Sequence, residues 1–296
     1  MGALRRWPAD GPARKVAVMP LLVTSASGIN GDGYGALLSF DHAGKLLGDF
    51  SKDSRIADPR GLAIEPRQRL LFLNSADRVL ALDTTGTVVR DTGVIASLNP
   101  GGGVFGPDGR YYAGLRSART ILALSPDLNR AGEHILPAGV VPFPRGFGFD
   151  AAGRLFLASG IGPDGKGDDA ILAFAPTDLS RQQLLVHHDP ELSPLDLMVA
   201  PNGNVVVSSE RPFGAPNAVT SVREYDAESG RLVRVLSAEG LAAFRKPRGL
   251  RFGRDGNLYC VAQDEVVAFD FQSGRCLGAV VQLSRLHGQA LTFFPD

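Results

Sequence analysis

Short apolar segments separated by polar turns recur along the chain in a fixed order. Most repeats open with Pro-x-Gly, although Asp196 and Ala290 stand in place of the glycine in two of them. The opening continues as an alternating apolar segment, a turn that usually contains glycine leads into a nearly continuous apolar strand, and two further strands follow. Asp-Gly and Asn-Gly supply the positive φ of a tight hairpin, so the turn joins the first two strands directly. The six openings occupy residues 59–64, 100–105, 144–149, 194–199, 247–252 and, without the proline, 288–293.

The spacing of these openings indicates the architecture. They lie 41 to 53 residues apart, which is the length of a four-stranded propeller blade. Nearly continuous apolar strands favour sheets that are buried on both faces, as in blades that pack against each other. A β-sandwich is the alternative, but it does not require one register to recur around the whole chain.

The two ends of the chain predict how the ring closes. The N-terminal part offers a second, third and fourth strand but no first strand, whereas the C-terminus offers a first strand alone. Together they complete one blade and leave no exposed sheet edge. We therefore predict an all-β, six-bladed β-propeller over residues 16–296 whose closing blade is shared. Residues 1–15 are expected to form a disordered tail. An apolar run follows its basic residues as in a signal peptide, but Pro20 interrupts that run and its second half is needed as a strand.

Charge and cysteine content narrow the possible partners. Lys and Arg total 31 and balance 31 Asp and Glu, and no basic run occurs, so we expect neither nucleic acid nor a membrane as a partner. Cys260 and Cys276 fall in strands two apart, roughly 9–10 Å from each other, which is too far for a disulfide. Free thiols favour a cytoplasmic location, with export left open. We expect the protein to be a monomer.

Two motifs carry a family resemblance. The Pro-Arg-Gly-Leu openings at residues 59–62 and 247–250 and the Asp-Gly-Asn-Leu-Tyr turn at 255–259 resemble the NHL-repeat and gluconolactonase-like (lactonase-type) superfamily of six-bladed propellers. The resemblance covers residues 16–296. It implies the same fold, which hosts lactonases, lyases and pure binding modules, so the function has to be argued from the site.

The resemblance also implies what an enzyme of this superfamily would need. Gluconolactonase-type members hold a divalent metal on the channel axis with a Glu from the closing blade and Asn and Asp from other blades. The matching stretch here, residues 288–291, has no carboxylate, although Asp196 and Asn74 match parts of such a set. The alternative function is therefore a metal-dependent hydrolase or lyase of small molecules that uses Ca, Mg or Zn, with Asp196 as the metal ligand and Asn74, Glu210 or His287 nearby.

The second position of each opening suggests a different function. Around the ring it reads Arg60, Gly101, Arg145, Leu195, Arg248 and Gln289. Three arginines in alternate blades would repel each other in a narrow channel unless an anion or neighbouring acids compensated them.

Guanidinium groups bind carboxylate and phosphate in a bidentate manner. The leading hypothesis is therefore a binding module for a small anionic molecule or peptide. Its predicted ligand-binding residues are Arg60, Arg145, Arg248, Gln289, Asn74, Glu210 and Arg211, the last two at the start of a long loop. The alternative is that each arginine turns sideways and donates to carbonyls of an adjacent blade.

Overall fold

The computed structural model describes residues 20–28, 30–96, 98, 100–129, 131–136, 140–161, 168–175, 178–187, 189–236, 238, 241 and 244–294, without the side chains of residues 100 and 178–182. The predicted tail at residues 1–15 lies outside these ranges.

The described residues form 24 strands in six antiparallel sheets of four strands each. The first strands are β4 (Leu62–Ile64), β8 (Pro100–Phe105), β12 (Pro144–Phe149), β16 (Pro194–Val199), β20 (Leu250–Phe252) and β24 (Gly288–Phe293). The second strands are β1 (Leu21–Ser25), β5 (Leu71–Asn74), β9 (Tyr111–Leu115), β13 (Leu155–Ser159), β17 (Val205–Arg211) and β21 (Leu258–Val261). The third strands are β2 (Leu37–Phe40), β6 (Val79–Leu82), β10 (Thr120–Leu124), β14 (Ala170–Ala175), β18 (Val219–Tyr225) and β22 (Glu265–Phe269). The fourth strands are β3 (Leu46–Asp49), β7 (Val88–Asp91), β11 (Glu133–His134), β15 (Asp178–Val186), β19 (Leu232–Leu236) and β23 (Cys276–Gln282).

The six sheets are the blades of a β-propeller, which confirms the predicted fold class. Each first strand contacts the first strands of the two neighbouring blades, so that β4, β8, β12, β16, β20 and β24 surround a central channel. Blade 1 contains β24, β1, β2 and β3, and blades 2 to 6 follow in chain order from β4 to β23.

The two ends of the chain close the ring as predicted. The C-terminal β24 pairs antiparallel with β1, with Leu291 opposite Val23 and Thr292 opposite Leu22. Leu22, Val23 and Leu291 are almost completely buried. Blade 1 is therefore completed by both ends of the described chain.

Hydrophobic clusters between neighbouring blades form the core. One cluster joins Phe72 of blade 2 to Tyr111 of blade 3, and another joins Leu22 of blade 1 to Leu62 of blade 2. Every residue of β5 is buried, whereas β3, a fourth strand, alternates partly buried with exposed residues. The inner strands read as continuous apolar runs because both of their faces are covered.

The glycine of the Pro-x-Gly opening is explained by how closely the first strands approach each other. A Cβ atom on Gly249 would lie 2.6 Å from the Cα of Ala290 in the next blade, and one on Gly146 would lie 2.5 Å from the Cα of Asp196. Real Cβ atoms do not come so close to backbone atoms, so these two positions require glycine for space rather than for a special φ. The motif therefore marks the wall of the channel.

Two further sequence predictions concern the cysteines and the membrane. Cys260 and Cys276 are both free; the first is buried and the second only partly buried, because it lies on an outer strand. The described ranges contain no helix of a length and apolarity that could cross a bilayer.

Candidate functional site

A cavity of about 950 Å³ lies at the end of the channel where the first strands begin. All six openings contribute to its wall, together with loops that join second to third strands. The long loop of blade 5 is shorter than the sequence suggested, because β17 and β18 remain paired as far as Arg211 and Val219. Residues 162–167, between β13 and β14 of blade 4, lie outside the described residues.

Positive charge dominates the described lining of this cavity. Three carboxylates face it, those of Asp32, Asp58 and Asp196. The cationic side chains in the lining are six: Arg60, Arg116, Arg145, Lys246, Arg248 and Arg251. The whole chain has no net charge, so the excess is a local property of this cavity.

The three arginines predicted from the openings all line the cavity. Arg60 pairs with Asp58 (Nη2 to Oδ2, 2.9 Å) and donates to Gln289 Oε1 at 3.0 Å. Arg248 pairs with the buried Glu210 at 3.4 Å. Two other predicted residues thus contact these arginines: Gln289 accepts from Arg60, and Glu210 pairs with Arg248. Gln289 also lines the cavity.

Arg145 fits both alternatives that the sequence left open, because it lines the cavity and also donates to a carbonyl of an adjacent blade. Its Nη1 donates to the carbonyl oxygen of Pro194 in the adjacent blade at 2.6 Å, and its Nη2 donates to that of Ile161 at 3.4 Å. The side chain is only 6% exposed, yet it forms part of the cavity wall. Its described hydrogen-bond partners are neutral carbonyls, so they satisfy donors without compensating the charge.

Burial weakens the basicity of these arginines. It lowers the pKa of Arg145 to about 10, although Asp169 acts in the opposite direction. Burial, together with the charges of Arg60 and Arg145, lowers the pKa of Arg116 to about 9. The pKa of Arg248 is also lowered, mainly by burial. With these pKa values Arg116 and Arg145 remain cationic near neutral pH. A bound anion would reduce the cost of keeping the buried guanidinium groups charged.

Two phenylalanines outside the repeated positions lie beside the arginines. The Cζ of Arg116 lies 5.7 Å from the ring centre of Phe143, and that of Arg145 lies 5.8 Å from the same ring. Arg145 and Arg248 lie 4.7 and 5.5 Å from the ring centre of Phe213. We call the series Arg116, Phe143, Arg145, Phe213 and Arg248 the arginine–aromatic ladder.

The wall of the channel includes a second arginine of blade 6. Arg251 on β20 donates through Nη2 to the carbonyl oxygen of Leu62 in blade 2 at 2.6 Å. Blade 1 lies between blades 6 and 2, so this side chain reaches past blade 1 within the channel. The sequence itself marks this residue, because Arg251 occupies the fifth position of its opening, where the other repeats have small, apolar or hydroxyl residues.

Asp196 lies beside this arginine and serves the backbone. Its Oδ2 accepts a hydrogen bond from the backbone N–H of Leu250 in the next blade at 2.8 Å. Burial raises the pKa of Asp196, while Arg251 and the Leu250 N–H oppose that shift. A carboxylate that bonds to a neighbouring blade in this way helps to hold β16 against β20.

Asn74 and Arg211 lie outside the described lining of the cavity. Asn74 is completely buried; its Nδ2 donates to the carbonyls of Gly101 and Gly102 at 3.3 and 3.2 Å, and its Oδ1 accepts from Tyr111 at 2.8 Å. Arg211 pairs with Asp169 at 2.8 Å. Both side chains join neighbouring blades.

The donor set that the family resemblance implies is not assembled in the described part of the chain. No three His, Cys, Asp or Glu side chains within those ranges are placed to hold a metal ion. His287 lines the cavity, and its Nε2 lies 3.5 Å from Asp32 Oδ2. Asp196 and Asn74 are engaged in the bonds between blades described above.

Comparison with known proteins supports the fold and goes no further. No family model matches the chain, and no curated protein matches its sequence. Among solved structures, it is similar to a chain of a nidogen–laminin complex, with 14% identity, a TM-score of 0.71 and coverage of 94% of this chain and 98% of that one. It is similar to a gluconolactonase from Xanthomonas campestris (16% identity, TM-score 0.58, 95% and 90% covered) and to virginiamycin B lyase from Staphylococcus aureus (12%, 0.52, 72% and 67%).

These neighbours agree with the predicted resemblance to lactonase-type propellers. At such low identities they define a class by architecture, the six-bladed propeller, and not by activity.

Proposed function

We propose that this propeller binds a small anionic molecule, a carboxylate or phosphate compound, in the arginine-lined cavity. The observation that carries the proposal is the charge of the described lining, in which six cationic side chains face three carboxylates. Two of the arginines, Arg60 and Arg248, have acidic partners, whereas Arg145 donates to carbonyls. An anion would therefore complete the electrostatic balance of the cavity.

The dimensions of the cavity favour a small molecule over a peptide. Sites for small ligands usually measure about 300–1,000 Å³, and this cavity has about 950 Å³. Hydrogen bonds to charged groups contribute about 1.5–3 kcal/mol each when they are well formed. Two such bonds to one carboxylate or phosphate would give useful affinity without a metal ligand set.

Calorimetric titration with citrate at low ionic strength tests the proposal. We expect binding to the wild-type protein, at least about tenfold weaker binding to Arg145→Met, and weaker binding as salt is added. The control is Arg154→Met, because Arg154 pairs with Asp150 at the surface and does not line the cavity. Absence of binding of both citrate and inorganic phosphate at millimolar concentration would contradict the proposal.

We also propose a cytoplasmic location. The free thiols of Cys260 and Cys276 support it, because reducing compartments keep thiols unpaired.

A further inference from the structure

The arginine–aromatic ladder occupies one side of the cavity rim. Arg116 follows β9 in blade 3, Phe143 and Arg145 belong to blade 4, Phe213 lies in the loop of blade 5, and Arg248 precedes β20 in blade 6. Four consecutive blades thus contribute one continuous series of alternating cations and rings. Its first and last members, Arg116 and Arg248, are about 130 positions apart in the sequence, so only the fold brings the members together.

The two rings reduce the repulsion between the arginines of the ladder and present apolar surface to a ligand. The face of an aromatic ring is electrostatically negative, so a ring close to two guanidinium groups attracts both and offsets part of their mutual repulsion. Of the five N–H donors of Arg145, the described hydrogen bonds use one on Nη1 and one on Nη2, so donors remain for an anion. Phe213 contacts two arginines and is nevertheless 56% exposed.

The opposite side of the rim differs from the ladder side in its aromatic content. Blades 1 and 2 contribute Asp32, Asp58 and His287 to the described lining, and no Phe, Tyr or Trp. A ligand therefore meets exposed aromatic surface on the ladder side, next to Arg145 and Arg248. This asymmetry would orient a ligand that has both a charged and a flat apolar part.

We infer that the ligand is an aromatic or conjugated polyanion whose ring packs on Phe213 while its anionic groups meet the edges of Arg145 and Arg248. The inference rests on the proposed function and narrows its ligand class. Phe213 is then a specificity-determining residue, since it distinguishes a flat ring from a saturated one of equal charge.

A matched pair of probes tests this inference. Benzene-1,3,5-tricarboxylate and cis,cis-cyclohexane-1,3,5-tricarboxylate carry the same three carboxylates, and only the first has a flat conjugated ring. We expect calorimetry to give the aromatic probe about three- to tenfold tighter binding to the wild-type protein. The preference should disappear in Phe213→Ala, with the saturated probe bound as before.

Tyr34→Ala provides the matched control. Tyr34 is an exposed aromatic residue (45%) that is not among the described residues lining the cavity, so its removal should leave the preference unchanged. Thermal unfolding of each variant verifies that the fold is intact.

The other outcomes separate this inference from the proposed function. Equal binding of both probes to the wild-type protein would overturn the inference and leave anion binding standing. Equal loss of both probes in Phe213→Ala would also overturn it, because the ring would then only position arginines. If the preference for the aromatic probe persists in Phe213→Ala, the ring of the probe does not pack on Phe213 and the inference is likewise overturned. If neither probe, nor citrate, binds the wild-type protein, the proposed function fails and the inference fails with it.

Discussion

Arg145 illustrates how a single residue in this propeller serves both the framework and the cavity. Its guanidinium donates to the Pro194 carbonyl across the boundary between blades 4 and 5 and packs on Phe213. The carbonyl bonds satisfy donors that burial would otherwise leave unmade, and the ring stabilises the cation from its face. Neither interaction supplies a negative charge, which is why the residue is suited to receive one from a ligand.

The glycine beside Arg145 allows a sharp test at the same scale. Gly146→Ala would place a Cβ atom 2.5 Å from the Cα of Asp196, and such overpacking typically costs about 1–3 kcal/mol of stability. Gly148→Ala is the matched control on the same strand, because its nearest neighbour would lie at 3.4 Å. Urea denaturation should show a clear loss for the first variant and a change below about 1 kcal/mol for the second. Equal stability of the two would contradict the close approach of β12 and β16.

At the scale of elements, Asn74 at the end of β5 connects two blades. Its amide donates to two carbonyls of β8, and its Oδ1 accepts from Tyr111 of β9. Asn74 is a predicted ligand-binding residue, yet all its described bonds lie within the framework. The structure thus suggests that its removal affects stability more than binding.

A double-mutant cycle separates these roles. Asn74→Ala leaves the buried Tyr111 hydroxyl without this acceptor and should destabilise the fold by about 1–3 kcal/mol. Tyr111→Phe removes the other partner, so the two changes together should cost less than the sum of the single ones, by about 1 kcal/mol. Chemical denaturation measures the coupling, and citrate affinity should stay constant throughout. Strict additivity would argue against the hydrogen bond.

The strands were predictable and the ladder was not, for a physical reason. Strand order and register follow from apolar periodicity and hairpin glycines, which are local features of each repeat. Arg60, Arg145 and Arg248 could be found because the repeat itself brings them to one place. Phe143 and Phe213 lie outside the repeated positions, in segments of variable length, so no periodicity points to them.

Some side-chain partners were beyond sequence reasoning for a related reason. The acid that compensates Arg248 is Glu210 from the preceding blade, whereas Asp196, which lies within the repeated opening itself, bonds to the backbone of β20. Which of two nearby carboxylates reaches a guanidinium depends on rotamers and on the width of the channel. The repeat pattern fixes neither.

At the scale of the whole molecule, the ring depends on its last strand. β24 covers the edge of β1 and buries Leu291 and Phe294 between blades. A chain that ends at Leu286 would leave β1 with an open edge and would lose apolar contacts worth about 2–5 kcal/mol for each large side chain. Total stabilities of about 5–15 kcal/mol leave little margin for such a loss.

We therefore expect the truncated chain to fail to form a folded monomer in size-exclusion chromatography and circular dichroism. A synthetic peptide covering residues 286–296, added in trans, should restore folding in part by supplying the missing strand. Cooperative unfolding of the truncated monomer at the wild-type midpoint would contradict closure by β24.

If the cavity at the beginning of the first strands is an anion site, crystallography should locate an anion there. Crystals of the wild-type protein soaked in selenate would reveal the selenium through its anomalous scattering. We expect a peak inside the cavity, with the selenate oxygens in hydrogen-bonding contact with Arg145 or Arg248. Anomalous peaks confined to surface lysines and arginines outside the cavity would contradict it.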